Sequence, residues 1–448
     1  MTTDKKNYCN VLIVGSLPFR ADAQSRAFDT YFCKWPSEKL HQVFSSPLKP
    51  LKGHCSELYQ ITDYDMLTKI FHKKRKIGRI FYKEKLDEKP CVDSSTSSVG
   101  GLYKIGKKKT PFIKLLRSLL WREKKWWTLE FKKWLTEFKP QCIFLAWSDD
   151  TYLLKIAYKI AHVFGIPVVP CIGDDYYFNR RLSLNPFYYL FNVIYKRWFK
   201  KLITYSNNCI FIDDKIRNTY KVFFGIDGAT VHVCSNYQML KIEDKKIDCE
   251  FIYVGNLGYK RYESLILFAK IMSKNNSNFR LRIFSSTNNK RIIGKLRKTK
   301  GIEFCGAIEY GEIINEYKKS TFVIVAESIK NKRAISDVAY SLSTKVADSL
   351  VSGLPIVAIG NKKCGAIDFF KRYSCAIVLE DVKDIYKFSN TNLENIALKE
   401  QIKKQHEVFA NLFDKQKNTD VFEKSILKSI EDFKYGKEKN MHCDTNRD

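Results

Sequence analysis

Residues 341–360 read Ser-Leu-Ser-Thr-Lys-Val-Ala-Asp-Ser-Leu-Val-Ser-Gly-Leu-Pro-Ile-Val-Ala-Ile-Gly. The pattern predicts a polar loop, a short amphipathic helix over Thr344–Ser352 and a buried strand over Pro355–Ile359. Gly353 suits the left-handed backbone that ends a helix, and Pro355 cannot continue one. This loop–helix–strand unit indicates an α/β domain.

The polar residues at the start of this helix predict an anion-binding site. The hydroxyls of Ser341, Ser343 and Thr344 can cap the first turn, whose unpaired amides attract an anion such as a diphosphate. Lys345 is unfavourable in a first turn unless a bound phosphate offsets its charge. Asp348, one turn further on, can accept hydrogen bonds from ribose hydroxyls. The alternative interpretation is an ordinary capped helix that leads into a buried strand.

Short apolar runs alternate with helical patterns along most of the chain. Buried strands that alternate with helices are typical of parallel, doubly wound sheets. We therefore predict an α/β fold with two Rossmann-like domains that face a cleft, and a C-terminal helix that returns to the first domain. The predicted strands of the two series are Tyr8–Val14, Cys142–Trp147, Ile166–Cys171, Asn208–Ile212 and Thr230–Cys234, then Phe251–Gly255, Arg280–Phe284, Phe322–Ala326, Pro355–Ile359 and Ala376–Leu379.

The domain boundaries are predicted from composition. Residues 1–240 form an N-terminal domain with a basic insertion near 69–140, and residues 241–397 form a second domain. A polar, lysine-rich stretch over Asn236–Lys246 marks the boundary between them. Residues 398–434 are the returning helical segment, and the polar residues 435–448 are predicted to be a disordered tail.

Composition narrows the functional classes. Thirteen cysteines without a CxxC pair, and no recognisable signal peptide, indicate reduced thiols in a cytoplasmic enzyme. No HExxH motif or Cys/His cluster indicates a metal, and no apolar run of about 18 residues indicates a membrane span. The net charge of +30 favours an anionic partner, which can be nucleic acid, an anionic lipid surface or a phosphorylated substrate. Genomic base bias is an alternative origin of the excess lysine.

Basic and apolar residues are interleaved over Lys107–Lys133. Leucine, isoleucine and tryptophan at helical spacing, with lysine and arginine between them, fit a helix that lies on a membrane surface. Trp121, Trp126 and Trp127 would then supply interfacial contacts, unless packing on the sheet already buries them. The alternative is a helix that packs its apolar side on the sheet and exposes a solvated basic face.

Glycines and charged residues follow several predicted strands, where ligands of parallel sheets bind. Gly15 follows the first strand and allows a ligand to approach the backbone closely, and Arg20 can reach phosphate or acceptor groups. Gly255 and Arg261 follow the first strand of the second series, where the glycine also allows close approach to the backbone and the guanidinium can bind a diphosphate. Solvated loops are the alternative for both segments.

Asp174 and Asp175 follow the strand predicted over Ile166–Cys171. A carboxylate at that position can act as a general base or stabilise developing positive charge. Adjacent side chains diverge, so we expect one of the two to serve in this way.

Together these segments resemble the bacterial GT-B glycosyltransferases, in particular the group 1-like enzymes that build capsular polysaccharide or O-antigen. The most specific match runs from Thr344-Lys345 through Pro355. The resemblance implies a nucleotide-sugar-dependent glycosyltransferase, here expected to be a hexosyltransferase, that acts on a glycan or lipid-linked acceptor. It also implies a set of site residues: donor-binding Gly255, Arg261, Ser343, Thr344, Lys345 and Asp348, catalytic Asp174 and Asp175, and an acceptor-side loop with Gly15 and Arg20.

The resemblance carries further expectations. Members of this fold need no bound metal, because amides and cations neutralise the diphosphate, so no metal or cofactor is expected. Retaining members commonly carry two glutamates eight positions apart, and Tyr340 and Asp348 stand at those positions here. The expected location is cytoplasmic, peripheral at the anionic inner face of the cell membrane.

Two other functions compete with this one. A nucleotide-sugar epimerase on the same fold would consume donor without an acceptor. A nucleic-acid-binding protein is suggested by charge alone, but no RRM, KH, helix-turn-helix or zinc-finger pattern supports it, so no nucleic acid is expected.

Overall fold

The computed structural model describes residues 8–18, 26–72, 75–87, 110–178, 183–240, 249–391 and 398–444, with side chains as far as Tyr435 and without those of Arg26 and Phe71. Within these ranges the chain forms two compact units. The first comprises the described residues up to Ile172, Tyr176–Val231 and those from Thr419 onward, and the second comprises Gly173–Asp175 and His232–Asn418. Each unit is built on one β-sheet.

The first unit contains an eight-stranded sheet in the order β4-β3-β2-β1-β5-β6-β7-β8. Neighbouring strands are parallel except for β3 and β4, which pair in antiparallel register at one edge. The strands are β1 Val11–Gly15, β2 Leu40–Phe44, β3 Glu57–Gln60, β4 Arg79–Tyr82, β5 Cys142–Ala146, β6 Val168–Ile172, β7 Cys209–Phe211 and β8 Gly228–Thr230.

Helices lie between most of these strands along the chain, as is usual for parallel crossovers, whereas residues 45–56 join the parallel strands β2 and β3 without a helix. The helices are α1 Arg26–Phe32, α2 Asp63–Phe71, α3 Pro111–Leu120, α4 Glu123–Trp126, α5 Leu129–Phe138, α6 Thr151–Phe164, α7 Pro186–Ile203 and α8 Asp214–Phe224.

The second unit contains a six-stranded parallel sheet in the order β11-β10-β9-β12-β13-β14. This is the 3-2-1-4-5-6 order of a Rossmann fold. Its strands are β9 Glu250–Val254, β10 Arg280–Phe284, β11 Ile302–Gly306, β12 Phe322–Ala326, β13 Ile356–Ile359 and β14 Ile377–Leu379. Its helices are α9 Arg261–Asn275, α10 Lys290–Arg297, α11 Ile313–Lys318, α12 Lys332–Asp337, α13 Lys345–Val351, α14 Gly365–Tyr373, α15 Val382–Ser389 and α16 Leu398–Leu412.

Both faces of the second sheet are covered by apolar side chains. In β12, Ile324 packs into one buried cluster, whereas Val323 and Val325 pack into another. In β13, Val357 belongs to the first cluster and Ile356 to the second. Successive residues of a strand point to opposite faces, so an apolar run with no alternation is buried on both sides. The predicted α/β fold with doubly wound parallel sheets is therefore confirmed.

The sequence did not predict the strands on one side of the first sheet. β2 contains His41 and Gln42, which interrupt its apolar run although both are buried. His41 is stacked against Phe138, with ring centroids 3.8 Å apart, and burial lowers its pKa to about 4. Gln42 donates from Nε2 to the carbonyl of Leu17 at 2.9 Å. Tertiary packing therefore accommodates polar side chains that conceal the strand pattern.

The last strand of this sheet lies earlier than predicted. β8 ends at Thr230, where the sequence analysis expected a strand to begin. Gly228 explains the difference, because a side chain there would lie 1.9 Å from the carbonyl oxygen of Cys209 on β7. The absence of a side chain permits the pairing.

The C-terminal helix α17, Lys415–Asp444, packs into the first unit. Phe422 is fully buried, stacked on Tyr31 with centroids 5.0 Å apart and edge-on to Phe32 at 4.9 Å. The predicted return of the C-terminal helix to the first domain is thus confirmed. α16 belongs to the second unit instead, and α17 continues past Tyr435 into the stretch predicted to be a disordered tail.

The basic segment packs into the first unit through its tryptophans. Trp121 and Trp126 are buried, and only Trp127 is partly exposed. Trp121 stacks on Tyr152 at 4.2 Å and donates from Nε1 to Asp63 at 2.7 Å. The exception stated for the interfacial role therefore applies to Trp121 and Trp126, since packing hides both rings. Among the helices of the described ranges, none is both long enough and apolar enough to cross a membrane.

Candidate functional site

The site is built where β9 and β12 end. These two strands are neighbours in the second sheet, and the strand order reverses between them. In open parallel sheets, ligands bind beyond the carboxyl ends of the strands at this point. Gly255 directly follows β9, and Glu327 directly follows β12.

Gly255 brings a lysine onto the end of β9. Its φ of 149° lies in the range that favours glycine, and a Cβ at this position would lie only 1.9 Å from Nζ of Lys345. The ammonium group of Lys345, at the start of α13, therefore rests directly over the backbone of Gly255. The close approach that the sequence predicted for Gly255 is thus made by a side chain of the same unit.

Lys345 is a partly buried cation with little to neutralise it. Its Nζ donates to the hydroxyl of Tyr253 at 3.3 Å and lies 5.1 Å from the centre of that ring. None of the carboxylates in the described ranges forms a salt bridge with it. Burial, and to a smaller extent the charge of Arg261, lower the pKa of Lys345 to about 7, against smaller opposing effects of Glu327 and Asp348. A bound anion would restore the charge of this amine.

Arg261 forms a two-bond pair with Glu327. Its Nε donates to Oε2 at 2.9 Å and its Nη2 donates to Oε1 at 2.7 Å. Both side chains are buried, with residue exposures of 8% and 3%. The pair ties the start of α9 to the end of β12 and fixes the guanidinium beside Lys345. Two of the donors of Arg261 are therefore engaged, so a diphosphate role for this residue stays a prediction.

Asp348 is held by two hydroxyl groups. Its Oδ1 accepts from Ser235 Oγ at 2.8 Å and from the Tyr310 hydroxyl at 3.2 Å. Tyr310 in turn stacks on Tyr237, with centroids 4.5 Å apart. This carboxylate is buried and oriented by distant parts of the same unit. The predicted contact of Asp348 with ribose hydroxyls stays a prediction.

Ser343 and Thr344 behave differently at the start of α13. Ser343 Oγ accepts from the amide of Lys345 at 3.4 Å, whereas Thr344 adopts helical angles and makes no capping bond through its side chain. The hydroxyl of Thr344 belongs to an exposed residue. The predicted cap is therefore made by Ser343 alone, and at the far end of the helix Gly353 has the predicted left-handed backbone, with φ of 67°.

The structure describes three of the four site residues predicted in the first domain: Gly15, Asp174 and Asp175. Gly15 ends β1, and a Cβ there would lie 3.2 Å from Cβ of Ala146 on the neighbouring β5. Arg20 lies outside the described residues. Asp174 is exposed and Asp175 is partly buried in the segment after β6, which is grouped with the second unit. The catalytic role of either aspartate stays a prediction.

Sequence reasoning missed most of the residues that support Lys345 and Asp348. Tyr253 and Glu327 were visible as polar residues at strand ends, but nothing indicated which cations they would meet. Ser235 lies 113 residues from Asp348 in sequence, and Tyr310 lies 38 residues away. No periodic pattern connects residues at such separations.

Among known proteins, this chain matches solved structures, whereas no family model and no curated protein matches it significantly. Among solved structures, α,α-trehalose-phosphate synthase (UDP-forming) from Burkholderia vietnamiensis is 9% identical, with 94% of this chain and 100% of that chain covered and a TM-score of 0.51. A glycosyltransferase from Rickettsia africae ESF-5 is 11% identical, with 95% and 99% covered and a TM-score of 0.50.

The chain has the GT-B fold. A third structure, the S. aureus TarM G117R mutant in complex with fondaparinux, α-GlcNAc-glycerol and UDP, is 12% identical with a TM-score of 0.43, and this chain spans 57% of its length. At such identities the likeness establishes architecture alone. Within this fold, Lys345 and Gly255 lie at the switch point of the second sheet, which is the place between β9 and β12 where the strand order reverses.

Proposed function

We propose that this chain is a glycosyltransferase that moves a sugar from a nucleotide-diphosphate donor to an acceptor hydroxyl. The observation that carries the proposal is the Lys345 ammonium, held over Gly255 at the switch point without a carboxylate partner among the described residues. A partly desolvated cation in this position costs free energy unless an anion binds beside it. A diphosphate meets that need.

The surrounding residues support the same chemistry. Departure of a nucleoside diphosphate concentrates negative charge on its phosphate oxygens. Lys345 stabilises that charge directly, and Arg261 adds to the positive field from its fixed pair with Glu327. Hydrogen bonds from Ser235 and Tyr310 hold Asp348, so the helix that carries Lys345 is braced before the donor arrives. Cationic groups of this kind replace a metal, and we propose that the reaction needs none.

The finer parts of the proposal concern the acceptor. We infer a hexosyl donor, and a glycan or lipid-linked acceptor in the synthesis of a surface polysaccharide at the inner face of the membrane. Asp174 or Asp175 would accept the proton of the attacking hydroxyl. These statements rest on the residue patterns of the sequence and on the fold.

Donor binding tests the central claim. A panel of nucleoside diphosphates and nucleotide sugars should contain at least one compound that raises the melting temperature of the protein. Replacement of Lys345 by Met should lower the affinity for that compound roughly ten- to a hundredfold, the effect of losing one charge-assisted hydrogen bond. Lys387→Met, at an exposed position of α15, is the matched control and should bind as the wild type does.

Product analysis separates transfer from epimerisation. With donor and a panel of glycan and polyprenyl-linked acceptors, a transferase releases nucleoside diphosphate in proportion to glycosylated acceptor. Conversion of the donor into an isomer, without an acceptor and without release of nucleotide, would overturn the proposal in favour of an epimerase. Binding of none of the compounds would overturn both.

A further inference from the structure

Helix α3 exposes a row of large apolar side chains. Phe112, Leu116 and Leu119 follow one another at helical spacing and are 44%, 48% and 53% exposed. An adjacent side of the helix is buried through Leu115 and Ser118. An exposed row of this size is unusual on a helix whose other face already packs against the protein.

Helix α7 continues this row. Its inner face is buried through aromatic residues such as Phe191 and Tyr195, whereas Leu190 and Val193 on its outer face are 49% and 65% exposed. Phe187, at the start of α7, is 39% exposed, and its ring lies 5.0 Å from that of Phe112. The exposed residues of the two helices therefore meet. We call them the α3–α7 surface: Phe112, Leu116, Leu119, Phe187, Leu190 and Val193.

Positive charge borders this surface and negative charge is lacking on it. Neither α3 nor α7 contains an acidic residue. Arg197 and Lys201 follow Val193 at helical spacing on the exposed side of α7, and Lys200 is exposed beside them. Arg122 and Lys124, also exposed, come just after α3. Apolar side chains bordered by lysine and arginine are the pattern of a protein surface that enters a lipid headgroup layer.

We propose that the α3–α7 surface docks this protein on an anionic lipid bilayer. The inference deepens the proposed function, because it names the surface that would bring the enzyme to a lipid-linked acceptor, but docking itself requires neither donor nor acceptor. The leucine, valine and phenylalanine side chains enter the interface, and the basic residues contact lipid phosphates. Trp121 and Trp126 take no part, because packing buries both rings.

Charge distinguishes a bilayer from the other occupants. A second copy of the chain in a twofold arrangement would place the same basic residues opposite one another, which is unfavourable. Nucleic acid would satisfy the basic residues but would leave Leu190 and Val193 exposed to water. An anionic bilayer satisfies the apolar and the basic residues together.

Vesicle co-sedimentation tests the proposal. The full chain should sediment with phosphatidylcholine vesicles that contain phosphatidylglycerol and stay in the supernatant with phosphatidylcholine alone. The pair Leu190→Asp and Val193→Asp should abolish sedimentation, whereas Tyr386→Asp, at a 47% exposed position in the second unit, should not. Replacement of Arg197, Lys200 and Lys201 by Gln should weaken binding to the anionic vesicles on the order of a hundredfold, at about 1 kcal/mol for each charge.

Controls keep the outcome clear. Exchange of three exposed lysines of the second unit, Lys290, Lys298 and Lys300, for Gln removes the same net charge elsewhere and should have a much smaller effect. Equal melting temperatures establish that each variant is folded. The proposal is overturned if the aspartate pair sediments like the wild type, or if it converts a dimer into a monomer without changing lipid binding. Donor binding measured on the same variants should be unchanged, so failure of docking and failure of the proposed function are separable.

Discussion

Gly255 determines whether Lys345 can reach its position at the end of β9. No other residue type fits at position 255, because its side chain would overlap the ammonium group of Lys345 and its backbone would have to adopt a φ of 149°. At residue scale, then, the site depends on one missing side chain and one buried cation. Two predictions follow from this pair.

Replacement of Gly255 by Ala should destabilise the protein by about 1–3 kcal/mol, because the backbone is strained and Lys345 must move. The affinity of this variant for the nucleoside diphosphate identified by thermal shift should also fall. Gly294→Ala is the matched control, since this glycine lies within α10 with nothing within 4 Å of the added Cβ. That change should stabilise the protein by about 0.8–1 kcal/mol. Chemical denaturation measures both, and equal effects of the two substitutions would contradict the assignment.

The lowered pKa of Lys345 predicts proton uptake on binding. In the free protein this pKa is about 7, so at pH 8 most of the amine is neutral. A bound diphosphate favours the charged form, so the complex takes up a proton and the affinity falls as the pH rises above about 7. Isothermal titration in two buffers of different ionisation enthalpy measures this uptake. Lys345→Arg keeps its charge throughout the range and should show none. The same uptake in both proteins would mean that another group titrates.

At element scale, α3 and α4 are anchored by polar contacts that the sequence did not show. Arg117 donates from Nε to Asp63 and from Nη1 to Asp150 at 2.9 Å in each case, and Trp121 shares Asp63. Asp150 stands at the start of α6 but makes no capping bond through its side chain. Its carboxylate pairs with Arg117 instead, so charges that resembled a solvated basic face are partly internal.

Replacement of Trp121 by Phe tests this anchor. The variant keeps an aromatic ring against Tyr152 but loses the hydrogen bond to the Asp63 carboxylate. We expect the free energy of unfolding to fall by about 1.5–3 kcal/mol, the contribution of a hydrogen bond to a charged group. Trp127→Phe, a partly exposed neighbour, should cost less than about 1 kcal/mol. If Trp127→Phe costs as much as Trp121→Phe in denaturant melts, the hydrogen bond contributes little.

At the scale of the whole molecule, the chain leaves the first unit after Val231 and re-enters it at Thr419. α17 completes the apolar core of that unit with Phe422, whose partners Tyr31 and Phe32 lie almost 400 residues earlier. Thr419 adds a hydrogen bond from its hydroxyl to the carbonyl of Thr30 at 2.8 Å. The N- and C-terminal parts of the chain are therefore one folding unit.

Truncation of Phe422 to Ala should destabilise the first unit by about 3–5 kcal/mol, as expected for loss of a buried aromatic ring. Val421→Ala, at a 39% exposed neighbour, should change stability by less than about 0.5 kcal/mol. Hydrogen exchange should show faster exchange in β5, whose Phe144 ring lies 5.6 Å from that of Phe422, and in its neighbour β1, while β9 and β12 keep their protection. Uniform loss of protection in both sheets would instead mean that the two units unfold together.

The sequence by itself determined the architecture wherever one property repeats locally. Arg280–Phe284 and Phe322–Ala326 are strands with the predicted bounds. In the first, buried leucine and isoleucine alternate with arginines, and the second is a continuous apolar run; both patterns are typical of strands. The sequence also indicated Gly255 and Lys345, since a glycine at a strand end and a lysine at a helix start are visible locally. Only the tertiary structure decided that these two residues touch and that Arg261 pairs with Glu327. It also decided that leucine, phenylalanine and valine, rather than tryptophan, form the α3–α7 surface. Each of those contacts joins residues far apart in sequence, and their pairing depends on the complete packing of a sheet, which no local pattern encodes.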